Sequence, residues 1–225
     1  MMRRKFVTNA TVIIILYLAL FANACVNNQF HILQTYEVKH IGALILARGG
    51  SKGIPLKNIS KFGNKTLIAN SIEIITKVKG FASIWVSTDS SQIFEEVAAY
   101  PVNVHWRAEE FASDKASSIS AVQEFLKYHP EIDALALVQC TSPFLKNTYL
   151  HKGLEYLKSG NDCVFSVSRS YKLRWGLQNE ALIPLNFNPK YRPRRQDWNG
   201  EFIENGMFYI ALRSLLKRGI FQNNK

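Results

Sequence analysis

Cysteine is scarce in this 225-residue chain, which carries only Cys25, Cys140 and Cys163. Three thiols cannot build a disulfide framework, and no Cys-x-x-Cys or Cys/His spacing suggests zinc. Cys140 and Cys163 lie in apolar runs, where a free thiol behaves as a small hydrophobe. Acidic side chains are also outnumbered, 17 Asp plus Glu against 28 Lys plus Arg, for a formal net charge of +11. That surplus suits an anionic partner: a nucleic acid, an acidic membrane or a phosphorylated small molecule. Two familiar phosphate-loop patterns, GxxxxGK[ST] and GxGxxG, are absent, which excludes the fingerprints of P-loop and dinucleotide-binding folds. What is present is ordinary for a globule, 47% apolar and 20% charged residues, enough for one domain with a small appendage.

The first 26 residues stand apart. Arg3, Arg4 and Lys5 form a basic start, an apolar run extends from Val12 to Ala22, and Ala22-Asn23-Ala24 is a small-x-small cleavage site. The segment reads as a secretory signal peptide or, uncleaved, a signal anchor tying the chain to a membrane, with a buried core helix as the plainer alternative. Sequons at Asn9, Asn58 and Asn64 matter only if the chain enters the secretory lumen.

From residue 39 to the end, apolar strand-like runs alternate with amphipathic helical segments. Strands are expected at 40–47, 82–89, 102–107, 133–140 and 162–169, and helices at 66–78, 91–100, 117–129 and 147–160. This alternation predicts an α/β fold, a mostly parallel, Rossmann-like sheet with helices on both faces. After Arg169 it lapses into a stretch, 170–204, rich in aromatics, Arg and Pro. That stretch is expected to be an inserted arm or β-hairpin packing on another subunit, before a strand and a helix resume at 202–219.

Ligands in such sheets bind beyond the carboxyl ends of the strands. Arg48 to Lys52, Ser87 to Asp89, Arg107, and Gln139 to Ser142 each follow an expected strand and should share one rim. The loop "ARGGSKGIPLKN" sets Arg48, Lys52 and Lys57 among three glycines, so backbone and cations can approach an anion together. A solvent-exposed basic turn is the bland alternative.

The residues carry a resemblance beyond charge. "LILARGGSKGIPLKN", "WVSTDSSQI", "SSIS", "LVQCTSPF", "VFSVSR" with Arg174-Trp175, "PLNFNPKYRPRRQDW" and "ENGMFYI" resemble, in order, blocks of the CMP-sialic acid synthetases (N-acylneuraminate cytidylyltransferases) of animal type. The resemblance covers about residues 40–222 and implies a nucleotidyltransferase-like fold with a dimerisation arm. It also implies a reaction of CTP with a sialic acid, helped by Mg²⁺, in which the anomeric hydroxyl attacks the α-phosphorus. Such chemistry rests on positioning and charge neutralisation.

Matched position by position, the resemblance makes Arg48, Ser51, Lys52, Asn58, Arg107 and Ser118 nucleotide contacts and puts Lys57 near the α-phosphate. Gln139, Tyr209 and Phe208 would meet the sugar, and Arg194 its carboxylate, a job for a bidentate guanidinium. Structural alternatives stand beside each. Arg107 also reads as a surface strand-end cation, Ser118 as a helix cap, Gln139 as a structural hydrogen-bonder, Arg194 as part of a basic surface cluster, and the two aromatics as core. Asn58 is doubly assigned, as a nucleotide contact and as a sequon.

Family members continue into an Asp-x-Asp segment that supplies metal ligands, and this chain contains no such pair, so its metal ligands are unknown. Asp89 and Asp197 are the nearest substitutes. Truncation is expected, which would leave a chain that binds CTP weakly and turns over slowly or not at all, with a working variant of different metal arrangement as the rival explanation. An active cytidylyltransferase is the main functional reading and a non-catalytic binding or regulatory subunit the alternative. A homodimer or homotetramer is expected, in the Golgi or endoplasmic reticulum. Nucleic acid is not an expected partner, since the cations gather at strand ends instead of forming a stripe.

Overall fold

A computed structural model describes residues 38–223; the leader, Cys25 and the sequon at Asn9 lie outside them. In chain order the elements are β1 (Ile41–Leu46), β2 (Lys61–Phe62), β3 (Lys65–Thr66), α1 (Leu67–Thr76), β4 (Ser83–Thr88), α2 (Ser91–Val97), β5 (Asn103–Trp106), α3 (Glu109–Ala112), α4 (Ser118–Tyr128), β6 (Ala134–Val138), α5 (Asn147–Lys158), β7 (Cys163–Ser170), β8 (Trp175–Gln178), β9 (Ala181–Pro184), β10 (Glu201–Leu212) and α6 (Arg213–Lys217). They fall into two units: residues 38–165 with 206–223, and residues 166–205.

The first unit is built on a sheet with strand order β5-β4-β1-β6-β10-β7. The pairs β1–β4, β1–β6 and β4–β5 are parallel, and β10 runs antiparallel to β6. β1, "IGALIL", is apolar on both faces because helices cover both. Period-two alternation sorts the side chains: Ala43 and Ile45 of β1 with Ala134, Ala136 and Val138 of β6 face α1, α2 and α5. Leu44, Leu135 and Leu137 face α4 and α6 on the other side.

The helices supply matching stripes. Ile68, Ile72 and Ile75 recur one turn apart along α1, which Thr66 caps by accepting a hydrogen bond from the Ala69 amide at 3.2 Å. In α5 a Cβ on Gly153 would stand 2.7 Å from Ile210 Cδ1, so glycine lets the helix pack close on β10. Arg213, just past β10, donates to the carbonyls of Leu126, His129 and Ile132, tying the end of α4 to the sheet. No helix among the described residues is long and apolar enough to cross a membrane.

The 166–205 unit contains the β8–β9 hairpin, with Leu177 opposite Leu182. Its two turn residues, Asn179 and Glu180, both have positive φ, 48° and 64°, the geometry that matches the twist of paired strands. Arg174 grips Glu201 through two hydrogen bonds of 2.7 and 2.8 Å.

Candidate active site

At the carboxyl ends of β1, β5 and β6 the first unit encloses a cavity of about 310 Å³. Seven of the residues singled out in the sequence line it: Arg48, Ser51, Lys57, Asn58, Arg107, Ser118 and Gln139.

The loop after β1 is fixed by backbone contacts. The Gly49 amide donates to Asp89 Oδ1 at 2.8 Å, and a Cβ on Gly49 would meet Ser90 Cβ at 2.8 Å, so only glycine passes there. Leu56 adopts a left-handed φ of 50° just before a single 3₁₀ turn, Lys57–Ile59, a conformation that costs about 1–3 kcal/mol at a non-glycine residue. The turn brings Lys57 to the cavity wall, where its ammonium has no ion-pair partner among the described residues and is available to a ligand anion. Asn58 is buried: its Nδ2 donates to the Arg48 carbonyl at 3.0 Å and its Oδ1 accepts from Cys140 Sγ at 3.1 Å. With both ends of the amide engaged, Asn58 shapes the wall, and a glycan on that nitrogen is incompatible with the fold. Asn64, in the other described sequon, is exposed.

Arg107 is not a surface cation; only 7% of it is exposed. Its guanidinium donates to Ser87 Oγ at 3.0 Å and to the Ser87 carbonyl. Burial lowers its pKa to about 10 against the opposing pull of Asp89 and Glu124, so it stays protonated at neutral pH. Glu124 lies on α4 and is itself bonded to His105 at 2.8 Å.

Ser118 is not the cap of α4. Ser117 holds that place, accepting from the Ser120 amide at 3.1 Å, and Ser118 is the first residue of the helix. The amide end of an 11-residue helix therefore borders the cavity, a favourable neighbourhood for an anion. Gln139 is anchored through its backbone, to Met207 O and from Ser142 N at 3.0 Å each. Its side-chain amide has no partner among the described residues.

The two aromatics expected at the sugar, Phe208 and Tyr209, lie elsewhere. Phe208 is fully buried in the core between the sheet and α5, where no ligand reaches it. Alternation turns the adjacent Tyr209 to the opposite face, against Phe221 at 5.4 Å between ring centres, so the two cannot line one pocket and neither borders this cavity. Arg194 belongs to the 166–205 unit, where Asp197 takes its guanidinium at 2.8 and 3.0 Å.

The sequence reading missed Asp114. It lines the cavity and bridges two cations, Arg48 NH2 at 2.9 Å and Lys52 Nζ at 2.9 Å. Those partners, Lys52 foremost, hold its carboxyl below the usual range. Asp114 follows no strand; the signal that could have found it is an acidic residue between Arg107 and Ser118, both already assigned.

As for a metal, no group of three His, Cys, Asp or Glu side chains among the described residues is placed to hold one. Asp89 is engaged with Gly49, Asp114 with Arg48 and Lys52, and Asp197 with Arg194. These residues do not by themselves fit a Mg²⁺ site.

Comparison with known proteins gives the pocket a context. Residues 42–223 match the model of a family described as Cytidylyltransferase. The chain is 43% identical over 192 residues to N-acylneuraminate cytidylyltransferase A of Danio rerio, covering 83% of this chain and 45% of that protein. It is 44% identical over 189 residues to N-acylneuraminate cytidylyltransferase of Oncorhynchus mykiss, covering 82% and 44% respectively. The chain thus spans a little under half the length of these curated relatives. Among solved structures, CMP:2-keto-3-deoxy-manno-octonic acid synthetase complexed with CTP matches its fold with a TM-score of 0.60 at 20% identity, over 80% of this chain and 77% of that one.

Proposed function

The chain belongs to the cytidylyltransferase family, and from that premise we propose that it activates N-acylneuraminate, converting CTP and the sugar to CMP-N-acylneuraminate and diphosphate. The observation that carries this reading is the convergence of Arg48, Lys57, Arg107 and the amide end of α4 on one cavity. The relatives named above supply the nucleotide and the sugar.

The anomeric hydroxyl attacks the α-phosphorus, the P–O bond to the diphosphate breaks, and the hydroxyl proton leaves to solvent or a phosphate oxygen. Negative charge accumulates on the phosphate oxygens during transfer. Lys57, which has no ion-pair partner among the described residues, is suited to the α-phosphate, while Arg107 supplies fixed charge whose orientation Ser87 sets. Preoriented charge of this kind stabilises the transition state without reorganisation. Gln139 offers the sugar an uncommitted amide. Mg²⁺ would enter with the nucleotide and supply further positive charge to its phosphates. Incubation of the chain with CTP, Mg²⁺ and N-acetylneuraminic acid tests the reading, with CMP-sugar and diphosphate as products; nucleotide binding without either product would instead mark a non-catalytic member.

The 166–205 unit exposes Trp175, Leu177, Leu182, Leu185 and Tyr191, a set of apolar side chains suited to a second copy of the chain. The basic start and apolar run of residues 1–26 favour the endoplasmic reticulum or Golgi, where Asn64 rather than Asn58 would carry glycan. A fluorescent fusion with and without residues 1–26 tests this: reticular or Golgi signal that needs those residues is expected, and cytosolic signal from the intact fusion overturns it.

A further inference from the structure

Two of the loop cations, Arg48 on the cavity lining and Lys52 beside it through Asp114, are already neutralised by the protein itself. Asp114 presents one oxygen to Arg48 and the other to Lys52, each at 2.9 Å, much as two oxygens of a phosphate would. Its carboxylate is 40% exposed and the Lys52 side chain 85% exposed, so a soluble anion can reach the pair. The contacts are reversible, since exposed ion pairs contribute little each and are screened by salt. The segment bearing Asp114 is lightly held: α3 is a single turn, and Arg48 reaches the Ala112 carbonyl only at 3.4 Å.

We propose that Asp114 is a built-in counter-anion, occupying the subsite formed by Arg48 and Lys52 until a polyphosphate displaces it. This rests on the reading of the cavity as a nucleotide site and adds a residue that sets its affinity. The carboxylate keeps both flexible cations extended toward one point, and it excludes anions too weakly charged to compete. A carboxylate with one negative charge yields to a di- or triphosphate, which brings several charges to the same two cations. Removing the charge of Asp114 should therefore strengthen polyphosphate binding. A positioning or metal-binding role predicts the reverse.

Isothermal titration of the full chain with CTP and, separately, inorganic pyrophosphate, in Mg²⁺ and in EDTA, compares the parent with Asp114→Asn and Asp114→Ser. Both variants are expected to bind pyrophosphate and CTP about three- to tenfold more tightly, the scale of losing two exposed ion pairs. Raising the salt to about 0.5 M should shrink the difference. Unchanged or weaker binding in variants that melt like the parent overturns the proposal, as does a change seen only with Mg²⁺. If the parent does not bind CTP yet pyrophosphate tightens in both variants, the counter-anion stands and the nucleotide reading falls.

Discussion

Cys140 and Arg107 show how burial decides what a side chain at this cavity does. The Cys140 thiol is buried, donates to Asn58, and has its pKa pushed up to about 12 by desolvation. A folded-state pKa above the unfolded one means that the native state holds the proton longer. Between about pH 9 and 12 the unfolded chain therefore ionises first, and stability falls as pH rises through that window. At pH 8 Cys140 should resist Ellman's reagent in the folded protein and react once urea unfolds it. Rapid labelling of Cys140 in the native state would contradict this; the peptide carrying the label is identified by mass spectrometry. Residue roles were only partly legible in the sequence. Lys57 and Arg48 could be placed because they flank glycines after an apolar strand. Arg107 reads from the sequence as either surface or site, and its bonds to Ser87 decide between them; Asp114 carries no local signal because its partners lie 66 and 62 positions away. Phe208 and Tyr209 are both expected at the sugar with core as the alternative, and a strand's alternation forbids neighbours from lining a single pocket.

The elements divide by how much of their cause is local. β1 and α1 stand where the sequence reading expects them, β1 because it is a continuous apolar run buried on both faces and α1 because its buried face is written at helical spacing. The two-residue strands β2 and β3 and the four-residue α3 carry too few residues for any period, and they escaped notice. The antiparallel direction of β10 is equally invisible locally, since it depends on the chain leaving the first unit at 165 and returning at 206. In the β8–β9 hairpin, Leu177 and Leu182 are 74% and 70% exposed although paired across the strands. Exposed leucines in this arrangement gain from burial, about 1.5–3 kcal/mol for each side chain fully covered. Replacing both with Asp should leave the hairpin folded, because the pair faces solvent, and shift the chain to monomer in analytical ultracentrifugation. A parent that is already monomeric at micromolar concentration, or a double variant that keeps the parent's oligomeric state, would contradict the proposed interface.

For the molecule as a whole, the surplus of +11 is less informative than its placement. Three cations meet at the ends of β1 and β5 and in the turn that follows, beside a helix amide end, and a cavity so lined focuses potential on a compact polyanion. The sheet order brings these ends together although they are far apart in sequence, so the pocket follows from the fold. Its shape, the engaged Asn58 and the bridge of Asp114 between Arg48 and Lys52 depend on the folded chain. The most direct measurement is turnover: purified chain with CTP, Mg²⁺ and N-acetylneuraminic acid, followed by product mass spectrometry and diphosphate release, beside Lys57→Met. The parent is expected to form CMP-N-acetylneuraminate, and the variant to form it at least about tenfold more slowly, the cost of one charge-assisted contact. Absence of product from the folded parent, or equal rates in parent and variant, would contradict the account.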